Sequence, residues 1–135
     1  MHFGTMNPEV VYRDRPAAYA VIVNERGQIA AVKIRRGYLL PGGGTDPGET
    51  PEQTVRRELR EELAREIHLV RELGEAVQYF SLPDVHYRMT AVFYQAEFAS
   101  EQQGACEHEL HWVERGGIAG TFFYASHEWA ITRAE

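Results

Sequence analysis

Leu40-Pro41-Gly42-Gly43-Gly44-Thr45-Asp46-Pro47-Gly48-Glu49-Thr50-Pro51-Glu52-Gln53, continuing as Thr54-Val55-Arg56-Arg57-Glu58-Leu59-Arg60-Glu61-Glu62-Leu63, is the stretch on which the reading of the chain turns. Its proline and glycines make a loop whose backbone is free to take conformations that other residues avoid. Thr50-Pro51-Glu52-Gln53 supplies an N-cap hydroxyl, a proline suited to the first helical position and a glutamine three residues in, so a helix is predicted to start there. Val55, Leu59 and Leu63 recur every four residues and Ile67 continues the stripe, which gives the helix one apolar face for packing on a sheet.

Upstream, residues 1 to 15 read as irregular, and Ala17 to Val23 is a short apolar run closed by the turn residues Asn24 to Gly27. Gln28 to Arg35 follows, so the two runs are expected to pair antiparallel as a hairpin. Downstream, Ala76 to Phe80, Tyr87 to Phe98 and Leu110 to Val113 have the aromatic and β-branched content of strands. Ser126 to Ile131 suggests a capped C-terminal helix with Trp129 and Ala130 or Ile131 inward. Strands, helix, strands, helix in that order imply a sheet covered by helices, an α/β or α+β class.

At 135 residues a single domain over 1–135 with one core is expected. A composition 44% hydrophobic and 25% charged excludes extended disorder. The net charge of −6 argues against nucleic acid as a partner, because gripping a phosphate backbone needs a basic footprint. A small phosphorylated substrate must then be received locally. The longest apolar run is far short of the about 20 residues of a spanning helix, so no membrane partner is expected. Cys106, the single cysteine, cannot form an internal disulfide and fits a reducing, cytoplasmic location. A homodimer is expected only on the frequency of such assemblies.

On the predicted helix Glu58 and Glu62 stand one turn apart with Glu61 beside them, so the carboxylates share one edge. Like charges at that spacing repel by roughly 0.2–0.5 kcal/mol, which a hard divalent cation between them would reverse. Magnesium, with oxygen ligands and retained waters, suits such a set and could acidify a water for attack at phosphorus. The helix also carries i, i+4 pairs such as Glu52 with Arg56 and Arg57 with Glu61, and by itself would pass for a solvated surface. The glycines and Glu49 just before it favour function, since bare backbone there can approach a metal or phosphate.

Gly43, then five residues to Glu49, then seven to Arg57-Glu58-Leu59-Arg60-Glu61-Glu62 resembles the Nudix box of the Nudix hydrolases, including MutT-like nucleotide pyrophosphatases. The likeness covers about residues 39 to 65, with a looser echo at 107 to 113. It implies an α/β/α sandwich with a mixed sheet, and hydrolysis of a diphosphate linkage in a nucleoside diphosphate derivative. It also implies magnesium, or manganese as a substitute, held by Glu58, Glu61, Glu62 and the Gly42 carbonyl. Either Glu58 or Glu61 would act as base, and Arg57 would pair with Glu49 to fix loop against helix. A further ligand from a later loop is expected to be Glu107 rather than Glu109. The family's glycine and aliphatic residue after the box are here Ala64 and Arg65, so the helix is expected to run on to about Ile67 or His68.

Two other readings stay open on the same fold. One is a non-catalytic nucleotide-binding or regulatory module, supported only by Ala64-Arg65. The other is isomerase chemistry with Cys106 on an isoprenoid diphosphate, which lacks any partner motif. Arg35, Arg36 and Arg88 are candidate phosphate contacts, and Tyr38, Tyr79, Phe80, Tyr87 and Tyr94 candidate base contacts. His108 and His111 have ligand-like spacing without the cysteines or HExxH of a zinc site. The glycine loop lacks the Lys-Ser/Thr of a P-loop.

Overall fold

A computed structural model describes residues 1–135. In chain order the elements are β1 (His2–Phe3), β2 (Tyr12–Ile22), β3 (Gln28–Ile34), β4 (Gly37–Leu39), β5 (Gly42–Gly44), α1 (Pro51–Leu63), β6 (Ile67–Leu82), β7 (Val85–Phe98), β8 (Leu110–Glu114) and α2 (Ala125–Arg133). Five strands form one sheet in the order β1-β6-β7-β2-β5, and β4-β3-β8 form a second. The larger sheet is mixed, because β2 runs parallel to β7 and antiparallel to β5.

The apolar run of β2 is explained by burial on both faces, where alternate side chains leave on opposite sides. Ala17, Tyr19 and Val21 enter a core shared with Phe93, Ala130 and Ile131, whereas Ala18, Ala20 and Ile22 enter one shared with Val55, Leu59 and Leu63. Helix α2 therefore covers one face and α1 the other, an α/β/α sandwich of the α+β kind.

The expected hairpin forms only at its turn. Gly27, at φ +74°, closes it, with Asn24 N–H donating to the Gln28 carbonyl at 3.0 Å, and Val23 and Ile29 make a single bridge. Beyond that bridge the strands part into different sheets, since β7 takes one edge of β2 from Tyr12 to Ile22 and β5 takes the other.

Helix α1 stops at Leu63, short of the extension expected to Ile67 or His68. Ala64 adopts the left-handed conformation (φ 53°, ψ 41°), and its N–H donates to the Arg60 carbonyl. That conformation costs alanine about 1–2 kcal/mol, offset by tertiary contacts. The Ala64 carbonyl accepts the Gln103 amide at 2.7 Å, the Arg65 guanidinium lies 3.7 Å over the Phe98 ring, and Ile67 is buried as the first residue of β6.

The first fifteen residues also contain more order than expected, with β1 alongside β6 and β2 beginning at Tyr12. At the other end Ala130 and Ile131 point inward as expected and Trp129 is half-buried. Ser126 is no cap, however. Tyr124 holds the N-cap position without a side-chain hydrogen bond, and Ser126 is buried within the helix.

Candidate active site

The N-terminus of α1 is closed as its sequence suggests, with Gln53 N–H donating to Thr50 Oγ1 and Thr50 N–H to Gln53 Oε1. Its buried stripe orients the charged edge towards β5. The buried Thr54 hydroxyl bonds Glu49 Oε1 at 2.8 Å and anchors the loop to the helix, a role for Thr54 that a sequence reading has no means to assign.

Arg57 is the hub of the loop. Its Nε and Nη2 grip both oxygens of Glu49 at 2.7 and 3.0 Å, Nη2 also donates to the Gly44 carbonyl at 2.9 Å, and Nη1 reaches Glu58 at 3.0 Å and Glu61 at 3.2 Å. This forked donation is a geometry that only a guanidinium supplies. The Arg57 hydrogen bonds hold the Glu49 carboxyl down at about 2.

Glu62 behaves oppositely. It is 8% exposed, and one oxygen accepts the Gly42 amide at 2.7 Å. Burial pushes its carboxyl up to about 8, with Glu58, Glu107 and Glu61 adding repulsion. Burial also raises Glu58, against the pull of Arg57, with Glu61 and Glu107 again repelling. These four carboxylates therefore sit within one another's fields. As placed, Arg57 engages Glu58 and Glu61 while Glu62 engages Gly42.

Glu107 is brought in by the backbone of its loop. The Glu107 amide donates to the Glu61 carbonyl at 3.2 Å and the His108 amide to Glu62 at 2.8 Å, satisfying carbonyls that a helix end leaves open. Glu109 makes no such contribution.

The glycines are required by contact. A Cβ on Gly43 would lie 2.7 Å from the Glu58 carboxyl carbon. One on Gly42, at φ +145°, would lie 2.3 Å from the Ala18 carbonyl oxygen. The preceding Leu40 amide donates to His127 Nδ1 at 3.1 Å, so α2 also holds this loop. Burial drops His127 to about 3 and keeps it a neutral acceptor.

Of the other candidates, Arg88 pairs with Asp14 at 3.7 Å. Tyr94 is buried against α1, and Tyr38 and His111 pack on each other. Tyr79 stacks with His2 and meets Tyr12 edge-on, while Phe80 and Tyr87 stack together on the α2 face beside Tyr124. Arg15 lies close to Gly44 and was concealed in the sequence by its place among the polar residues at the start of β2.

The NUDIX domain profile matches residues 13–125. The chain is 36% identical over 114 residues to the 8-oxo-dGTP diphosphatase of Haemophilus influenzae, covering 78% of this chain and 80% of that one. It is 35% identical over 63 residues to the RNA pyrophosphohydrolase of Marinomonas sp., spanning 45% of this chain and only 39% of that protein. The fold is similar to that of a MutT NUDIX hydrolase from Burkholderia pseudomallei, with a TM-score of 0.73, 23% identity and coverage of 91% and 99%. Fold and relatives together define a hydrolase acting on phosphoric anhydrides. The chain belongs to the Nudix family, among its MutT-like members.

Proposed function

We propose that this chain is a magnesium-dependent pyrophosphohydrolase that cleaves a diphosphate linkage in a nucleoside diphosphate derivative, with nucleoside triphosphates the first class to test. The observation that carries this is the set of mutually repelling carboxylates, Glu58, Glu61, Glu62 and Glu107, held against the bare backbone of Gly42 and Gly43. The donors are all oxygen, which fits a hard cation, and their repulsion is relieved when positive charge arrives.

In this reading Glu58, Glu61, Glu62 and Glu107 would hold magnesium with the Gly42 carbonyl. The antiparallel ladder turns the polar groups of Gly42 away from β2, which frees its N–H for Glu62 and supports the same role for its carbonyl. When bound, the ion would neutralise the diphosphate and acidify a water. Glu58 or Glu61 would accept the water's proton. Arg57 and Glu49 hold loop to helix and so fix where Glu58 and Glu61 point. The similarity to an 8-oxo-dGTP diphosphatase over most of both chains supports a nucleoside triphosphate as substrate.

The left-handed Ala64 keeps the helix end where a glycine would have put it, which supports the catalytic reading over a non-catalytic module. The reading includes a cytoplasmic location, in keeping with the free Cys106, and a homodimer as the commonest closed assembly. No helix is long and apolar enough to cross a membrane.

Release of phosphate or pyrophosphate should be measured across nucleoside triphosphates, nucleotide sugars, ADP-ribose and dinucleoside polyphosphates, with and without magnesium. Turnover that vanishes on chelation and in Glu58→Gln is expected. Absence of turnover throughout the panel would overturn the reading.

A further inference from the structure

We propose that Arg65 is a positioning residue for the carboxylate site: it clamps the stem of the loop 99–109 to the end of α1 and so fixes Glu107, further along that loop, beside Glu58 and Glu62. This rests on the pyrophosphohydrolase reading above and adds to it a residue that acts on the site from outside it.

Glu107 stands on a loop with no frame of its own. Residues 99–109 join β7 to β8, strands of different sheets, and contain no helix or strand. Glu107 is exposed, yet its carboxylate repels those of Glu58 and Glu62 and raises both. A ligand serves a site only if it is held to within about 0.5 Å, so contacts beyond the loop must hold this one.

Those contacts fall on the segment from Glu61 to Glu66. The amides of Ala99, Gln103, Glu107 and His108 donate to the carbonyls of Glu66, Ala64, Glu61 and Glu62 respectively. Side chains lock the stem. Glu66 N–H donates to Ser100 Oγ at 2.9 Å, and Arg65 Nε donates to the Ser100 carbonyl at 2.9 Å. The Arg65 guanidinium also lies 3.7 Å over the Phe98 ring, and Phe98 meets Trp112 edge-on with ring centres 6.1 Å apart. Phe98 ends β7 and Trp112 belongs to β8, so Arg65 is seated on the pair of rings that joins both stems of the loop.

An arginine just past a helix C-terminus is favoured by the macrodipole alone. That accounts for the charge but not for the geometry, since the contacts of this guanidinium are an aromatic face and a carbonyl of the loop. A leucine there would pack on Phe98 but offer Ser100 no donor. A lysine would keep the charge and lose the planar stack.

Manganese binding to the full chain, followed by electron paramagnetic resonance without nucleotide, reads the site independently of turnover. Arg65→Leu should weaken manganese by about 10–100-fold, the range for loss of a group that orients a ligand, and by no more than Glu107→Gln does. Arg65→Lys should recover part of that affinity. In the double variant Arg65→Leu should add little to Glu107→Gln, because the clamp then has no ligand to place. In turnover, Arg65→Leu should raise the magnesium concentration that gives half-maximal rate and leave substrate KM at saturating magnesium nearly unchanged. Wild-type manganese affinity in Arg65→Leu or in Glu107→Gln, or losses that add in the double variant, overturns the assignment. A lowered melting temperature with manganese affinity intact overturns it too, as the mark of a purely structural role. Should Arg65→Leu not fold, Arg65→Lys with and without Glu107→Gln supplies the same comparison. Failure of the wild-type chain to turn over any substrate, with the coupled loss of manganese affinity intact, would instead overturn the pyrophosphohydrolase reading.

Discussion

The Glu62 carboxylate accepts the Gly42 amide at 2.7 Å, which ties the last turn of α1 to the edge strand that opens the loop. A buried acid is thereby held in place by a single neutral donor while other acids press on it from α1 and from the Glu107 loop. Its removal from water is tolerable only with a proton or a cation.

Without metal, the folded chain should hold a proton on Glu62 that the unfolded chain releases, because folding lifts this carboxyl from its ordinary 4.5 to about 8. Glu62 therefore takes stability away as pH rises from about 4.5 to 8. Thermal unfolding in chelator should show a melting temperature that declines over that interval, more shallowly in Glu62→Gln, and magnesium should raise it most at pH 8. Glu49 acts in the opposite sense, its stabilisation present above 4.5 and lost as pH falls towards 2.

Glu62→Gln keeps the shape and a hydrogen-bond acceptor for Gly42 while deleting the charge. Turnover should fall by roughly 10²–10³-fold, as when a positioned electrostatic group is lost, although the metal-free protein is no less stable than wild type. Steady-state kinetics beside chemical denaturation would separate the two effects.

Gly42 and Gly43 should fail differently when replaced by alanine. At Gly43 the new methyl meets only the flexible end of Glu58, so stability should drop by about 1 kcal/mol or less while turnover falls up to about 100-fold through displacement of the carboxylate. At Gly42 it meets the Ala18 backbone at an unfavourable φ, costing roughly 2–5 kcal/mol in a urea titration.

Arg57→Lys should lower turnover by roughly 10–100-fold with little change in substrate affinity, because an ammonium cannot fork onto Glu49 while donating to Gly44, Glu58 and Glu61. A kcat loss without a KM rise is the expected pattern.

Ala64→Gly should stabilise the chain by about 1 kcal/mol, since glycine enters the left-handed helix end without alanine's steric penalty. The shift in urea midpoint at constant slope measures it.

The spacing of Gly43, Glu49, Arg57, Glu58, Glu61 and Glu62 by itself determined the family, and Thr50-Pro51-Glu52-Gln53 determined the start of the helix, because capping chemistry and a 3.6-residue period act within a few residues. It also made the Arg57–Glu49 pair readable as an expectation, which the hydrogen bonds match. Other features were hidden because their causes lie far along the chain. Ala64 ends the helix through Gln103 and Phe98, and Ala17–Val23 leaves its hairpin partner because β7 and β5 occupy its edges. Likewise Glu107 approaches the box only because its loop satisfies the open carbonyls of α1. Local sequence set the chemistry that each segment carries. Which segments share one site was decided by long-range hydrogen bonds and two-sided burial, energies that exist only once the sheets are packed.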